Sequence, residues 1–257
     1  MGDALDLLRQ ADSKAALPRL GGMARPEGVV IVSERFWAFA GQDGSLREGE
    51  MPKPPAVVQR MPLVRGLFRL GLSLAPLLRR TGVAGRKERP FLLAALLAPF
   101  LLVFLPEAMR LPIGLGATLG LAFWLLRGRT LRLHGAEHRA IAAVEERCLV
   151  ETWSGAAHPT RFSPRCGTNF AALALPITWM AERVWPLAPE LWTPVAVTAV
   201  ALAATMELWR AVQSNPLLKP LLLPGLALQR LTTREPSLDE TRIALRAAAS
   251  VLARELA

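Results

Sequence analysis

Residues 90–106 read PFLLAALLAPFLLVFLP, with no charged side chain among them. Three further stretches are free of charge in the same way: 111–126 (LPIGLGATLGLAFWLL), 166–181 (CGTNFAALALPITWMA) and 191–206 (LWTPVAVTAVALAATM). Each is about 16 residues long, slightly short of the roughly 20 that cross a bilayer as a helix. Flanking arginines can lengthen such a span by snorkelling to the interface. Pro99, Pro112, Pro176 and Pro194 fall within or at the ends of the four runs, and transmembrane helices tolerate proline better than soluble ones do.

Working outward, the basic residues alternate between the connections. Arg79, Arg80, Arg86, Lys87 and Arg89 precede the first run, and the next connection holds only Glu107 and Arg110. Arg127, Arg129, Arg132, Arg139, Arg147, Arg161 and Arg165 lie between the second and third runs. Glu182, Arg183 and Glu190 follow the third, and Arg210, Lys219, Arg230 and Arg234 follow the fourth. Concentration of Arg and Lys on alternate sides is the positive-inside pattern. It predicts a mainly α, polytopic inner-membrane protein with about four transmembrane helices in two hairpins. Both termini and the 127–165 connection would be cytoplasmic, with the lipid bilayer as the first partner.

Composition agrees with this reading. The chain has 257 residues, a formal charge of +10, 52% hydrophobic residues, a mean hydropathy of +0.29 and a pI near 11.1. That excludes a disordered or collagen-like chain. Two cysteines, Cys148 and Cys166, cannot make a disulfide framework. The first residues lack a basic segment followed by an apolar core, so no cleaved signal is expected. A charge this basic suits nucleic acid or an anionic membrane surface. No stripe of basic and aromatic residues is present, so nucleic acid is not expected as a partner. Trp124, Trp185, Trp192 and Trp209 stand near the ends of the runs, where interfacial anchors belong.

The flanking regions read as soluble structure. Residues 3–18 suit a short amphipathic helix ending near Pro18. Val29 to Val32 and Phe36 to Phe39, separated by charged residues and followed by Gly41-Gln42-Asp43-Gly44, predict a small β-meander over 28–50. Leu63, Val64, Leu67, Phe68, Leu70 and Leu74 among Arg60, Arg65, Arg69, Arg79 and Arg80 make a basic amphipathic helix suited to a membrane interface. Pro216 to Leu228 is apolar but interrupted, and suits a re-entrant or interfacial segment. Ser237 with Glu240 three residues on is a capping-box pattern opening a C-terminal amphipathic helix. The expected organisation is a cytoplasmic region 1–60 with the β-meander, an interfacial helix within 61–89, a membrane domain 90–209, and a cytoplasmic region 210–257.

All three histidines, His134, His138 and His158, lie in the 127–165 connection. His134-Gly135-Ala136-Glu137-His138 puts two imidazoles at i and i+4, on one helix face. This is the H-x-x-E-H arrangement, in which the histidines hold Zn²⁺ and the glutamate serves as general base. The third ligand is Cys166 or His158, with Glu145, Glu146 and Glu151 as weaker candidates. Cys148 reads as packing. Glu207 and Arg210, at i and i+3, suit an ion pair, and Glu27 suits a solvated turn.

The chain resembles the YqhQ-like family of bacterial inner-membrane proteins of unknown function. The resemblance rests on Gly21-Gly22 with Glu27-Gly28-Val29, on Pro62 to Gly66, on His134 to His138, and on Arg165-Cys166-Gly167-Thr168. It also rests on Pro224 to Gln229 and Leu231 to Pro236. It implies a small cytoplasmic region, a helical membrane domain and a metal-dependent enzyme. Two departures stand out. Val30-Ile31-Val32-Ser33 replaces the family's Met-Met-Arg-Gly. Ser163 replaces the His that precedes Pro-Arg-Cys-Gly-Thr, while His158 lies five residues earlier. The expected function is a zinc-dependent hydrolase at the cytoplasmic face, acting on a peptide or lipid-linked group. The alternatives are a membrane scaffold with a structural metal or none, and a transporter.

Overall fold

The structure is a computed structural model. It describes residues 2–14, 16–78, 82–84, 128–187, 190 and 192–257, with isolated positions between 89 and 120. It divides into two compact units, each assembled from separated stretches of chain. The first comprises Met1–Lys53, Leu126–Cys166 and Leu226–Ala257; the second comprises Pro54–Leu125 and Gly167–Gly225.

The first unit opens with helix α1 (Gly2–Asp12). Four strands follow, β1 (Gly21–Arg25), β2 (Gly28–Val32), β3 (Phe36–Gly41) and β4 (Leu46–Glu50), in an antiparallel sheet of order β1-β2-β3-β4. The meander expected over 28–50 is present, extended by β1. The register pairs Val29 with Ala40 and Ile31 with Ala38. Because side chains alternate along a strand, these four point to one face, where they join the hydrophobic core. At the β3–β4 turn Asp43 accepts from the Ser45 backbone N–H (3.0 Å) and hydroxyl (2.6 Å), and Gly44 takes a φ of +84°. That left-handed conformation favours glycine. Glu27 lies exposed in the β1–β2 turn beside Arg25.

Among the described residues the further helices are α2 (Ala56–Arg60), α3 (Val64–Ser73), α4 (Ala75–Leu78), α5 (Gly128–Glu146), α6 (Leu149–Ser154), α7 (Gly167–Arg183), α8 (Thr193–Ser214), α9 (Leu223–Thr232) and α10 (Leu238–Leu256). A 3-10 segment, Pro216–Leu222, precedes α9. In the first unit α10 packs across β2 and β3 and against α1 and α5. Small residues at the crossing, Ala136, Ala140 and Ala143 on α5 and Ala244 and Ala248 on α10, are all fully buried and permit close approach. Leu245 and Leu252 are fully buried in the same core, and burying a leucine contributes about 1.5–3 kcal/mol. The capping box is formed: Ser237 Oγ accepts from the Glu240 N–H, and the Glu240 carboxylate accepts from the Ser237 N–H. Cys148 precedes α6, whose first N–H groups at Leu149 and Val150 donate to Asp12 at the end of α1.

In the second unit α3 and α7 both pack on α8. Arg65 on α3 makes a two-pronged ion pair with Glu207 on α8, both contacts at 2.7 Å. Glu207 is thus held by a residue 142 positions away, not chiefly by Arg210. Gly66 permits this approach, since a Cβ there would stand 3.0 Å from both the Ala203 carbonyl and the Met206 Cβ. Phe170 and Trp209 meet edge to face with centroids 5.8 Å apart.

The architecture of about four transmembrane helices in two hairpins is overturned. Among the described residues one helix, Thr193–Ser214, is long and apolar enough to cross a membrane. The third run instead forms part of α7, a continuous 17-residue helix that contains Pro176 and buries Asn169. The runs 90–106 and 111–126 lie largely outside the described residues. Several of the arginines counted in the alternating pattern make ion pairs within the first unit. Arg132 pairs with Glu240 (2.9 Å), Arg139 with Glu235 (2.5 Å) and Arg165 with Glu145. These arginines of the 127–165 stretch tie together separate parts of the first unit. The stretch itself is mostly helical, as α5 and α6.

Candidate metal centre

The centre lies within the first unit and begins with α5. Its i and i+4 positions bring His134 and His138 together, with ring centroids 4.4 Å apart. Both rings are oriented by main-chain carbonyls. His134 Nδ1 lies 2.8 Å from the Thr232 carbonyl, and His138 Nδ1 lies 2.7 Å from the Arg161 carbonyl. A carbonyl oxygen only accepts, so each Nδ1 carries the proton and donates it. In the neutral imidazole that leaves the Nε2 lone pair free to bind a metal.

Cys166 closes the group. Its Sγ is 3.3 Å from His134 Nε2. One ligand atom from each of His134, His138 and Cys166 falls within 4.8 Å of the other two. A tetrahedral zinc with the usual bond lengths sets such atoms about 3.3–3.7 Å apart, so small side-chain adjustments complete the geometry. The donor atoms also fit a metal chemically: His138 is 1% exposed, and its Nε2 has no hydrogen-bond partner. A buried nitrogen without a partner is costly unless something fills the position. His158 is exposed and stands outside this group.

Glu137 is the remaining element. It is 4% exposed, and its Oε2 has no hydrogen-bond partner. Burial pushes its carboxyl up from the ordinary 4.5 to about 7, opposed by the nearby His134 and by the backbone N–H of Ala24. It is therefore poised to exchange a proton near neutrality. Gly22 makes room for it on β1, since a Cβ there would stand 2.9 Å from Glu137 Cγ and 2.6 Å from the Val30 carbonyl.

A strap formed by residues 232–236 holds the opposite side. The Arg234 N–H donates to the Leu131 carbonyl (2.9 Å). Gly135, inside the helix, allows this crossing, since any Cβ there would collide with the Arg234 carbonyl. Arg139 Nε donates to the Pro159 carbonyl (3.1 Å), and Arg161 donates to the Thr233 carbonyl (2.9 Å). Gln229 and Ser163 exchange two bonds, of 2.8 and 2.9 Å. These supporting groups were not foreseen from the sequence. The sequence holds two signals for them: Gly135 within the motif, because a mid-helix glycine often marks a close backbone approach, and the blocks Pro224 to Gln229 and Leu231 to Pro236 that carry the family resemblance.

A centre that pairs two imidazoles, a thiol and a buried carboxyl defines a class of chain whose residues could hold a metal ion. By similarity this chain belongs to the family described as "Protein of unknown function (DUF1385)", which matches residues 89–254. It is also similar to the "Uncharacterized protein YqhQ" of Bacillus subtilis (strain 168). The two are 32% identical over 124 residues, covering 46% of this chain and 38% of that protein. The matched region thus spans well under half of that relative's length. No solved structure matches the chain.

Proposed function

We propose that this protein is a membrane-associated, metal-dependent hydrolase. His134, His138 and Cys166 hold zinc, and Glu137 is the general base. The observation that carries the reading is the convergence of the three ligand atoms, with the His138 Nε2 buried and unpartnered. When bound, zinc supplies Lewis acidity and an acidified water. The chain's own work is to fix both imidazoles through the Thr232 and Arg161 carbonyls and to place a carboxyl near half-protonation beside them. Glu137 then takes the proton from water as water attacks, and returns it to the leaving group. The substrate class is a peptide or lipid-linked group.

Part of this reading is association with the inner membrane, which the exposed apolar surface of the second unit supports; the alternation of arginines along the sequence is what argues for cytoplasmic termini. Helix α8 is 22 residues long, and 28% of its most apolar 18-residue window is buried. Leu175, Trp179 and Met180 on α7, and Val64, Leu67 and Phe68 on α3, are exposed. Fractionation tests this part: the protein should stay with membranes after alkaline carbonate extraction, and its release would refute the placement.

Metal analysis tests the centre. Protein purified without chelator should carry one zinc, lost in both His134→Ala and His138→Ala. Metal-free wild type would refute the site. The enclosure of His138 and Glu137 favours a second reading, a structural metal. Glu137→Gln separates the two: retained zinc with failed complementation of a deletion phenotype means chemistry, and full complementation means a structural role.

A further inference from the structure

Apart from the metal centre, the first unit carries an open trough of about 690 Å3 along α10. From Asp239 to Arg254 it runs about 22 Å, at 1.5 Å per helical residue. Leu7, Trp153, Leu46 and Glu48 form its walls, and Arg242, Arg246 and Arg254 line it.

These arginines differ from the paired ones elsewhere in how they are compensated. Arg65, Arg132 and Arg139 each meet a carboxylate at 2.9 Å or closer. In the trough, Arg242 is 3.6 Å from the exposed Asp239, and Arg254 is 3.8 Å from the exposed Glu50. Arg246 has no carboxylate partner among the described residues. Neutral groups fix the three guanidinium groups in place. Arg242 donates to the Trp153 carbonyl (3.1 Å) and lies over its ring, Arg246 donates to the Gly44 carbonyl (2.9 Å), and Arg254 lies 4.3 Å from the Phe36 centroid. Glu48, the other acid of the wall, accepts from the Ser250 hydroxyl (2.5 Å). Donors that are oriented but weakly neutralised suit an anion that brings its own acceptors. Leu7, Leu46 and Ile243 place apolar surface beside them.

We propose that this trough binds a phosphate monoester with an apolar body. Its phosphate sits on Arg246 and Arg242, and its body lies along Leu7 and Ile243. The head group could belong to a soluble aryl phosphate or to a lysophosphatidate, and the same experiment distinguishes them. Calorimetric titrations use full-length protein in neutral detergent with excess chelator, so that the metal centre takes no part. The probes are 1-naphthyl phosphate, a lysophosphatidate and inorganic phosphate. Either organic phosphate should saturate, with inorganic phosphate at least about tenfold weaker. The tighter of the two organic probes names the source. Arg246→Ala should weaken binding by about tenfold or more, the scale of a lost charged hydrogen bond. Arg246→Lys keeps the charge without the fork and should fall between. Circular dichroism confirms that the variants are folded, and Arg230→Ala, away from the trough, should bind as wild type does. Three results would overturn the proposal: no saturation by either organic phosphate, equal binding of inorganic phosphate, or a folded Arg246→Ala that binds as wild type does.

Discussion

Replacing Glu137 by glutamine should make the metal-free protein more stable at alkaline pH and leave it little changed in acid. The carboxyl ordinarily titrates near 4.5 and in the fold near 7, chiefly because it is buried. The folded state therefore binds the proton more tightly than the unfolded chain does. Stability is fully retained below pH 4.5, falls as pH rises through 7, and levels off above it. The full difference between 4.5 and about 7 corresponds to roughly 3 kcal/mol. Glutamine is never charged and keeps an oxygen for the Ala24 N–H, although one amide group stays without a partner. The net gain at pH 8 should therefore be about 1–3 kcal/mol. The assay is denaturant unfolding of chelator-treated wild type and Glu137→Gln at pH 5 and pH 8, followed by circular dichroism. A difference between the two proteins that is the same at both pH values would refute the reasoning. So would a variant less stable than wild type at pH 8. Zinc should reverse the sign, because a nearby cation favours the carboxylate.

Gly135→Ala should destabilise the first unit by more than about 2 kcal/mol, because the new Cβ meets the Arg234 carbonyl. It should also lower zinc stoichiometry by displacing the Thr232 carbonyl from His134, and thermal unfolding with metal analysis reads both effects. Ser237→Ala removes the cap of α10 and should cost about 1 kcal/mol in denaturant unfolding. A double-mutant cycle of Arg65→Met and Glu207→Gln should give a coupling of roughly 1–3 kcal/mol, given the two-pronged and half-buried pair. Additive effects there would mean that the pair does not hold α3 on α8.

The parts legible in the sequence are those written in local pattern. Ser237 and Glu240 announce the start of α10, the β-branched residues 29–32 announce β2, and the spacing of His134, Glu137 and His138 announces the centre. β1 was not legible. Its sequence GGMAR has poor strand propensity, and it is a strand because it pairs with β2 and lets Glu137 lie over Gly22. The carbonyls of Thr232 and Arg161 leave no trace either, because every residue has a carbonyl and only the fold chooses which one faces an imidazole. Charge counting is blind to another part of the fold for a related reason. It treats each arginine as a report on a membrane, whereas Arg132, Arg139 and Arg165 each answer a carboxylate brought from elsewhere in the chain.

The division of the first unit among three stretches of chain also governs the order of its assembly. The sheet is complete by Glu50, but α10, which covers it, ends at Leu256. About 200 residues must be translated in between, which takes roughly 10–40 s at typical bacterial and eukaryotic rates. During that interval α1 and then α5 are already made, and α5 packs on β1 and β2, but Ala38 and Ala40 on β3 still lack the α10 face that packs across β2 and β3. Stop codons that remove α10 should therefore leave the β3 side of an N-terminal sheet exposed, although that sheet lies some 200 residues upstream.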